Sequence, residues 1–251
     1  MANDATTWKV LPHRPIEKLT ENLWRVEGDL EGMPLKRVMT IAKRADGGLV
    51  VHNAIALGEA EMKEIDAWGR VAFVLVPNGY HRIDAPRFAA RYPDAKVLAP
   101  SGSRKKVAEV VRVDGTYEDY STNLRPASAD LEEFPKDDVV SLETLHGVAE
   151  AEGAMFVRSE SGVTLVLNDA VFNMPHVSGF QGFVFKHVTQ SSGGPRVSRI
   201  ARLFILKDKA AFRAHLERLA STKDLRRVIV SHHDTITDDP AGTLRAVAAT
   251  L

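Results

Sequence analysis

The chain has 251 residues, 44% of them hydrophobic and 26% charged, which is enough apolar content for a substantial buried core. Its 33 basic and 33 acidic residues cancel, arguing against nucleic acid or an anionic membrane as partner, and the lack of cysteine excludes disulfides, thiolate metal sites and a cysteine nucleophile. The opening MANDATTWKV has no apolar signal-peptide core, and no run approaches the ~20 apolar residues that span a bilayer, so a cytoplasmic protein is expected.

Pro12 and Pro15 interrupt any helix near the start, so residues 1–20 are expected as an extension and residues 21–251 as a single domain. ENLWRVEGDL, LKRVMTIAKR and GGLVVHNA are β-rich runs, the last two separated by the turn Asp46-Gly47-Gly48. GEAEMKEIDAWG places Met62, Ile65 and Trp68 along one helical side, and VAFVLVPN reads as a buried strand. A helix from Asp84 to Tyr92, the strand KVLAP and a basic helix SRKKVAEVV capped by Ser101 follow. From Gly115 to Asp138 the chain is polar, with Pro126 and Pro135, and predicts a long loop or hinge.

Strands resume at VVSLETL, EGAMFVRS and GVTLVLND, the last two joined by the hairpin turn Glu160-Ser161-Gly162. Phe172 to Pro195 predicts an irregular surface loop with one short helix, and the apolar residues of its Phe172–Phe185 part allow a homodimer contact. AAFRAHLERLA is an amphipathic helix, RRVIVSHHD a strand, and Asp238-Asp239-Pro240 opens the last helix. Two rounds of strands followed by helices fit an α/β four-layer αββα sandwich of two mixed sheets.

Polar residues stand where the strands stop: His52 and Asn53, Asn78 and His81, Asp169, and His232 and His233. Strand ends are where α/β proteins place their chemistry, and mixed imidazole and carboxylate donors suit zinc, iron or manganese. No P-loop, dinucleotide fingerprint or Gly-x-Ser-x-Gly elbow occurs. For each histidine the structural alternative is a turn residue bonded to a nearby carbonyl, and for Asp169 an Asx-turn. His13, His187 and His215 take a structural reading outright, while His146, Glu150 and His176 are weak candidates. Arg196, Arg199 and Arg202 follow a Gly-Gly-Pro turn and would clamp an anionic substrate if their loop covers the strand ends.

Over roughly residues 20 to 240 this order of features resembles the metallo-β-lactamase superfamily. That family carries a His-x-His-x-Asp-His signature after a buried strand. Here Asn78-Gly79-Tyr80-His81-Arg82-Ile83-Asp84 stands in its place and keeps one His and one Asp. Asp169 and His232 fall where the family has its bridging Asp and last His, and His146 or Glu150 loosely match the mid-chain His. With the signature so reduced, the resemblance implies a divergent branch without the two-zinc centre. The leading expectation is one zinc, iron or manganese ion held by His81, Asp169 and His232, with His81, Asp84, His233 or His52 as proton carriers for hydrolysis of a small-molecule ester, lactone or phosphoester. The alternative is a metal-free, non-catalytic binding or scaffolding member of the same fold. A metal-free acid–base pair of His81 and Asp169 ranks third.

Overall fold

The computed structural model describes residues 5–120, 137–149 and 151–251. Residues 121–136, with Pro126 and Pro135, and the candidate Glu150 lie outside the described residues.

A seven-stranded sheet is built from Glu17–Thr20 (β1), Leu23–Leu30 (β2), Met33–Lys43 (β3), Leu49–His52 (β4), Val71–Leu75 (β5), Lys96–Ala99 (β6) and Gly115–Thr116 (β7), in that spatial order. Its β1–β4 half is antiparallel, whereas β4 to β7 run parallel. The parallel half needs crossovers, and the helices Glu59–Trp68 (α1), Ala85–Arg91 (α2) and Ser101–Val107 (α3) supply them. All five residues of β5 are buried, as the unbroken apolar run requires of a strand covered on both faces.

The second sheet has four strands: Val140–Thr144 (β8), Gly153–Ser159 (β9), Gly162–Val166 (β10) and, after a long excursion, Leu225–Ile229 (β13), in the order β13-β10-β9-β8. Gly162 sits at φ 124°, a backbone region that favours glycine, and this closes the β9–β10 hairpin at the expected turn. Within the excursion, Phe172–Met174 (β11) pairs with Gly194–Arg196 (β12), enclosing the helix Gly179–Phe183 (α4) and a π-helical turn at Val184–Val188. A second π-helical turn covers Ala201–Ile205. Lys209–Ala220 (α5) and Pro240–Ala249 (α6) complete the chain, each capped by an aspartate, Asp208 or Asp239, that accepts from a backbone N–H.

Three apolar layers follow. Met62, Ile65 and Phe88 pack on the outer face of the large sheet, and Phe212, Leu216, Leu244 and Val247 on the outer face of the small one. Between the sheets, Val38, Val50, Phe73 and Leu75 meet Leu142, Met155, Val157 and Ile229. The αββα expectation is borne out.

Three local expectations change. Residues 5–20 are not a free extension: His13 bridges Gly28, β1 joins the sheet edge, and Trp8 lies 5.4 Å from Phe88 with its indole N–H donating to Leu57 O. A segment without apolar period still packs where single large side chains find a neighbour. Ser101 is not a cap, because its hydroxyl donates to Glu118 instead, at 3.0 Å. The Phe172–Pro195 segment is a paired ribbon as well as a short helix.

Candidate metal centre

The sheets bring two pairs of strand ends together. β4 and β5 are parallel neighbours, so the chain leaving β5 passes Asn53 just beyond β4. β10 and β13 are likewise parallel, so Asp169 and His232 leave the small sheet at one edge. There His81 Nε2 and His232 Nε2 each lie 3.1 Å from Asp169 Oδ1. These three donor atoms lie within 4.8 Å of one another. Thus the three residues expected as metal ligands do converge, from three separate strand ends.

The hydrogen bonds behind the imidazoles fix their tautomers. Asn53 Nδ2 donates to the Val38 carbonyl at 2.9 Å, which leaves Asn53 Oδ1 to accept from His81 Nδ1 at 3.0 Å. His232 Nδ1 donates to the Lys36 carbonyl at 2.8 Å. Both Nδ1–H groups are therefore spent on oxygen acceptors, and both Nε2 atoms face one carboxylate oxygen. In the neutral imidazoles those Nε2 atoms are lone pairs, and three electron-rich atoms at this spacing are held together best by a cation. Phe172 stacks on the His232 ring with centroids 5.3 Å apart.

A buried polar layer underlies the cluster. Asn78 uses both amide hydrogens, one to Asp169 Oδ2 at 2.8 Å and one to Glu152 Oε1 at 3.1 Å. Its Oδ1 accepts from the backbone N–H of Tyr80 and of His81, which sets the turn that aims His81. Glu152 Oε2 also accepts from Ala170 N, and Asn168, which accepts from Ser231 Oγ, completes the layer. Burial, and then the charge of Asp169, pushes the Glu152 carboxyl up to about 8. Burial acts in the same sense on Asp169, but when the two rings are protonated their positive charge and Nε2–H donors outweigh it and hold that carboxyl well below its usual range. Sequence reading missed Glu152. Its one signal was an acidic residue inside AEAEG next to an apolar strand, two residues from the Glu150 that was weighed.

The expected proton carriers fare differently. Asp84 is 2% exposed, paired with Arg37 at 2.8 Å and also bonded to Arg87, so both its oxygens are committed to guanidinium groups. His233 points at the Lys36 backbone N–H, 3.3 Å from its Nε2, and burial followed by the nearby His232 lowers it to about 4. His52 is 2% exposed with Nδ1 unpartnered, and burial, then His81, lowers it to about 3. None of the three lines the cavity that opens over the cluster. Elsewhere His176 bonds Ser192, and the His146 backbone N–H donates to the buried His215, which pairs with Glu143 at 2.9 Å.

A cavity of about 420 Å³ opens over the cluster. Leu30, Met33, Leu35, Ile200, Phe204 and Ile205 make its walls, and besides the three clustered residues its ionisable lining among the described residues is Arg37 and Tyr80. Arg196, Arg199 and Arg202 do not line it.

This layered sandwich, with its strand-end cluster at one edge, is a metallo-β-lactamase-like fold. The metallo-β-lactamase from Erythrobacter litoralis aligns with it at a TM-score of 0.59 and 13% identity, over 96% of this chain and 100% of that one. The metallo-β-lactamase from Pontibacter korlensis aligns at 0.57 and 11% identity, over 96% and 100%. No family model matches the chain, and no curated protein matches it.

Proposed function

We propose that this chain is a hydrolase dependent on one zinc, iron or manganese ion, acting on a small-molecule ester or lactone with an apolar acyl portion. The observation that carries the reading is the convergence of His81 Nε2, His232 Nε2 and Asp169 Oδ1, with each Nδ1–H already bonded to oxygen. Two imidazoles and one carboxylate suit these ions and leave coordination positions open. An ion held there supplies Lewis acidity, lowering the pKa of water toward neutrality and polarising a carbonyl oxygen. Asn53 and the Lys36 carbonyl orient the two rings, Asn78 orients Asp169, and the apolar walls hold an acyl chain and exclude water. A phosphoester is the poorer substrate, because the cation on the cavity wall, Arg37, is spent on Asp84.

The absence of a free carboxylate or imidazole in the described lining, apart from the three, favours a second reading: a binding protein for apolar ligands on the same fold. Elemental analysis by plasma mass spectrometry on protein purified without chelator separates the readings. About one equivalent of metal, lost in His81→Ala and His232→Ala, is the expected result. Absence of metal after supplementation, or stoichiometric metal retained in both variants, would overturn the hydrolase.

A further inference from the structure

From Ala170 to Lys207 the sequence contains no Asp or Glu, yet it carries Lys186, Arg196, Arg199, Arg202 and Lys207. The net neutrality that argued against an anionic membrane averages over this segregation. The bonds of the three arginines end on the carbonyls of Gly193, Gly194, Val188, Val197 and Thr250 and on the Thr250 hydroxyl, so that among the described residues no carboxylate compensates these charges. Lys186, Arg199 and Lys207 are exposed.

The same stretch concentrates exposed apolar surface. Phe180, Phe183, Leu203 and Phe204 are 81%, 58%, 67% and 73% exposed. Apart from Val10 and Val110, every large hydrophobic side chain that is exposed among the described residues lies in this stretch, on the β2–β3 hairpin tip or on the turn after β5. These pieces adjoin. Gln181 donates to Gly32 O, tying α4 to the hairpin tip, and Arg199 N donates to Thr189 O, tying the two π-helical turns together. Met33, Tyr80, Ile200 and Phe204 belong both to this surface and to the cavity wall. On the hairpin tip and the turn after β5 the acidic groups are paired, Glu31 with Lys9, Asp29 with Lys36, and Asp84 with Arg37 and Arg87, while Asp208 beside Lys207 caps α5.

We propose that this face docks the protein on an anionic lipid surface, Phe180, Phe183, Leu203 and Phe204 entering the acyl boundary while the lysines and arginines meet the headgroups. Protruding aromatic and aliphatic tips among unpaired cations are the composition such interfaces take. A second copy is a worse occupant, because a two-fold contact would lay this cationic face on itself. With the cavity mouth inside the docking face, an acyl compound reaches His81 and His232 from the bilayer without crossing water. Docking itself does not depend on metal or catalysis.

The test is sedimentation of the full chain with vesicles of phosphatidylcholine alone or mixed with phosphatidylglycerol. The expected result is binding to the mixed vesicles alone, weakened by salt, about tenfold or more weaker in Phe180→Ser/Phe204→Ser and in Lys186→Glu/Arg199→Glu, and unchanged in His81→Ala. All substituted positions in the first two variants are exposed, and an unchanged thermal midpoint verifies their folds. Absence of binding to the mixed vesicles overturns the proposal. So does a stable dimer that these same variants dissociate, since the face would then belong to a second copy.

Discussion

Asn53 accepts the Nδ1 hydrogen of His81 at 3.0 Å while giving its own amide hydrogen to Val38 on the neighbouring strand. The bond sets the ring of a ligand from a residue that never approaches the cavity. Asn53 sits at φ 56°, where glycine replaces it without backbone strain, so Asn53→Gly removes the side chain cleanly. Metal affinity should fall about 10–100-fold, as for other loss of ligand-orienting partners. Competition against a chromogenic chelator measures it, and an unchanged affinity would show that the ring is held by packing alone.

Asp84→Asn tests whether this residue serves the chemistry or the fold. Its carboxylate is shared by Arg37 and Arg87 beneath the cavity, and Arg37 is 4% exposed. Removing one member of a buried pair leaves the other charge uncompensated, at a cost of about 3–5 kcal/mol. The expected variant unfolds at markedly lower denaturant but keeps its metal equivalent and the pH profile of any esterase activity. A changed pH profile at unchanged stability would return Asp84 to the role of proton carrier.

Glu152 gathers hydrogens from Ala170 N, Asn78 and Asn168 with no exposed surface of its own. Glu152→Ala leaves those donors unsatisfied, and each orphaned group costs about 1–3 kcal/mol. Because Asn78 then loses the acceptor of one of its two amide hydrogens, metal affinity should drop along with stability. Glu152→Gln keeps the shape and one acceptor oxygen, and should recover most of the metal affinity. If Glu152→Ala binds metal as tightly as the unchanged protein, Asn78 does not transmit the loss.

How far this site was legible follows from where each signal resides. His81, Asp169 and His232 stand immediately beyond apolar strand runs, and strand ends are visible in a single sequence. The convergence of those ends depends on β10 and β13 being parallel neighbours far apart in the chain, as Val166 pairs Ile229. The family order supplied that pairing where periodicity could not. Glu152 and Asn78 act through contacts 74 residues apart, which no local pattern encodes. The partners of Asp84 were not legible, because a position before a helix looks the same whether its carboxylate faces a cavity or, as here, two arginines. The cationic face was hidden for the opposite reason: it is written in the sequence, but averaging the charge over the chain erased it.

His52 makes the acid side of the stability curve a test of the buried layer. Its ring is neutral in the fold, with its pKa lowered from 6.5 to about 3 by burial and then by His81. Above pH 6.5 the ring is neutral in folded and unfolded chains alike and costs nothing. Between 6.5 and about 3 the unfolded chain takes up a proton that the fold refuses, so stability falls as pH falls through that window. The full shift is worth on the order of 5 kcal/mol. His52→Leu fills a similar volume, removes the unpartnered Nδ1 and deletes this dependence. Thermal midpoints measured with chelator present in both proteins exclude metal release as a cause. The difference between variant and parent should be small at pH 7 and widen steadily toward pH 4. Parallel curves over that range would mean that His52 finds a proton acceptor or water in the fold.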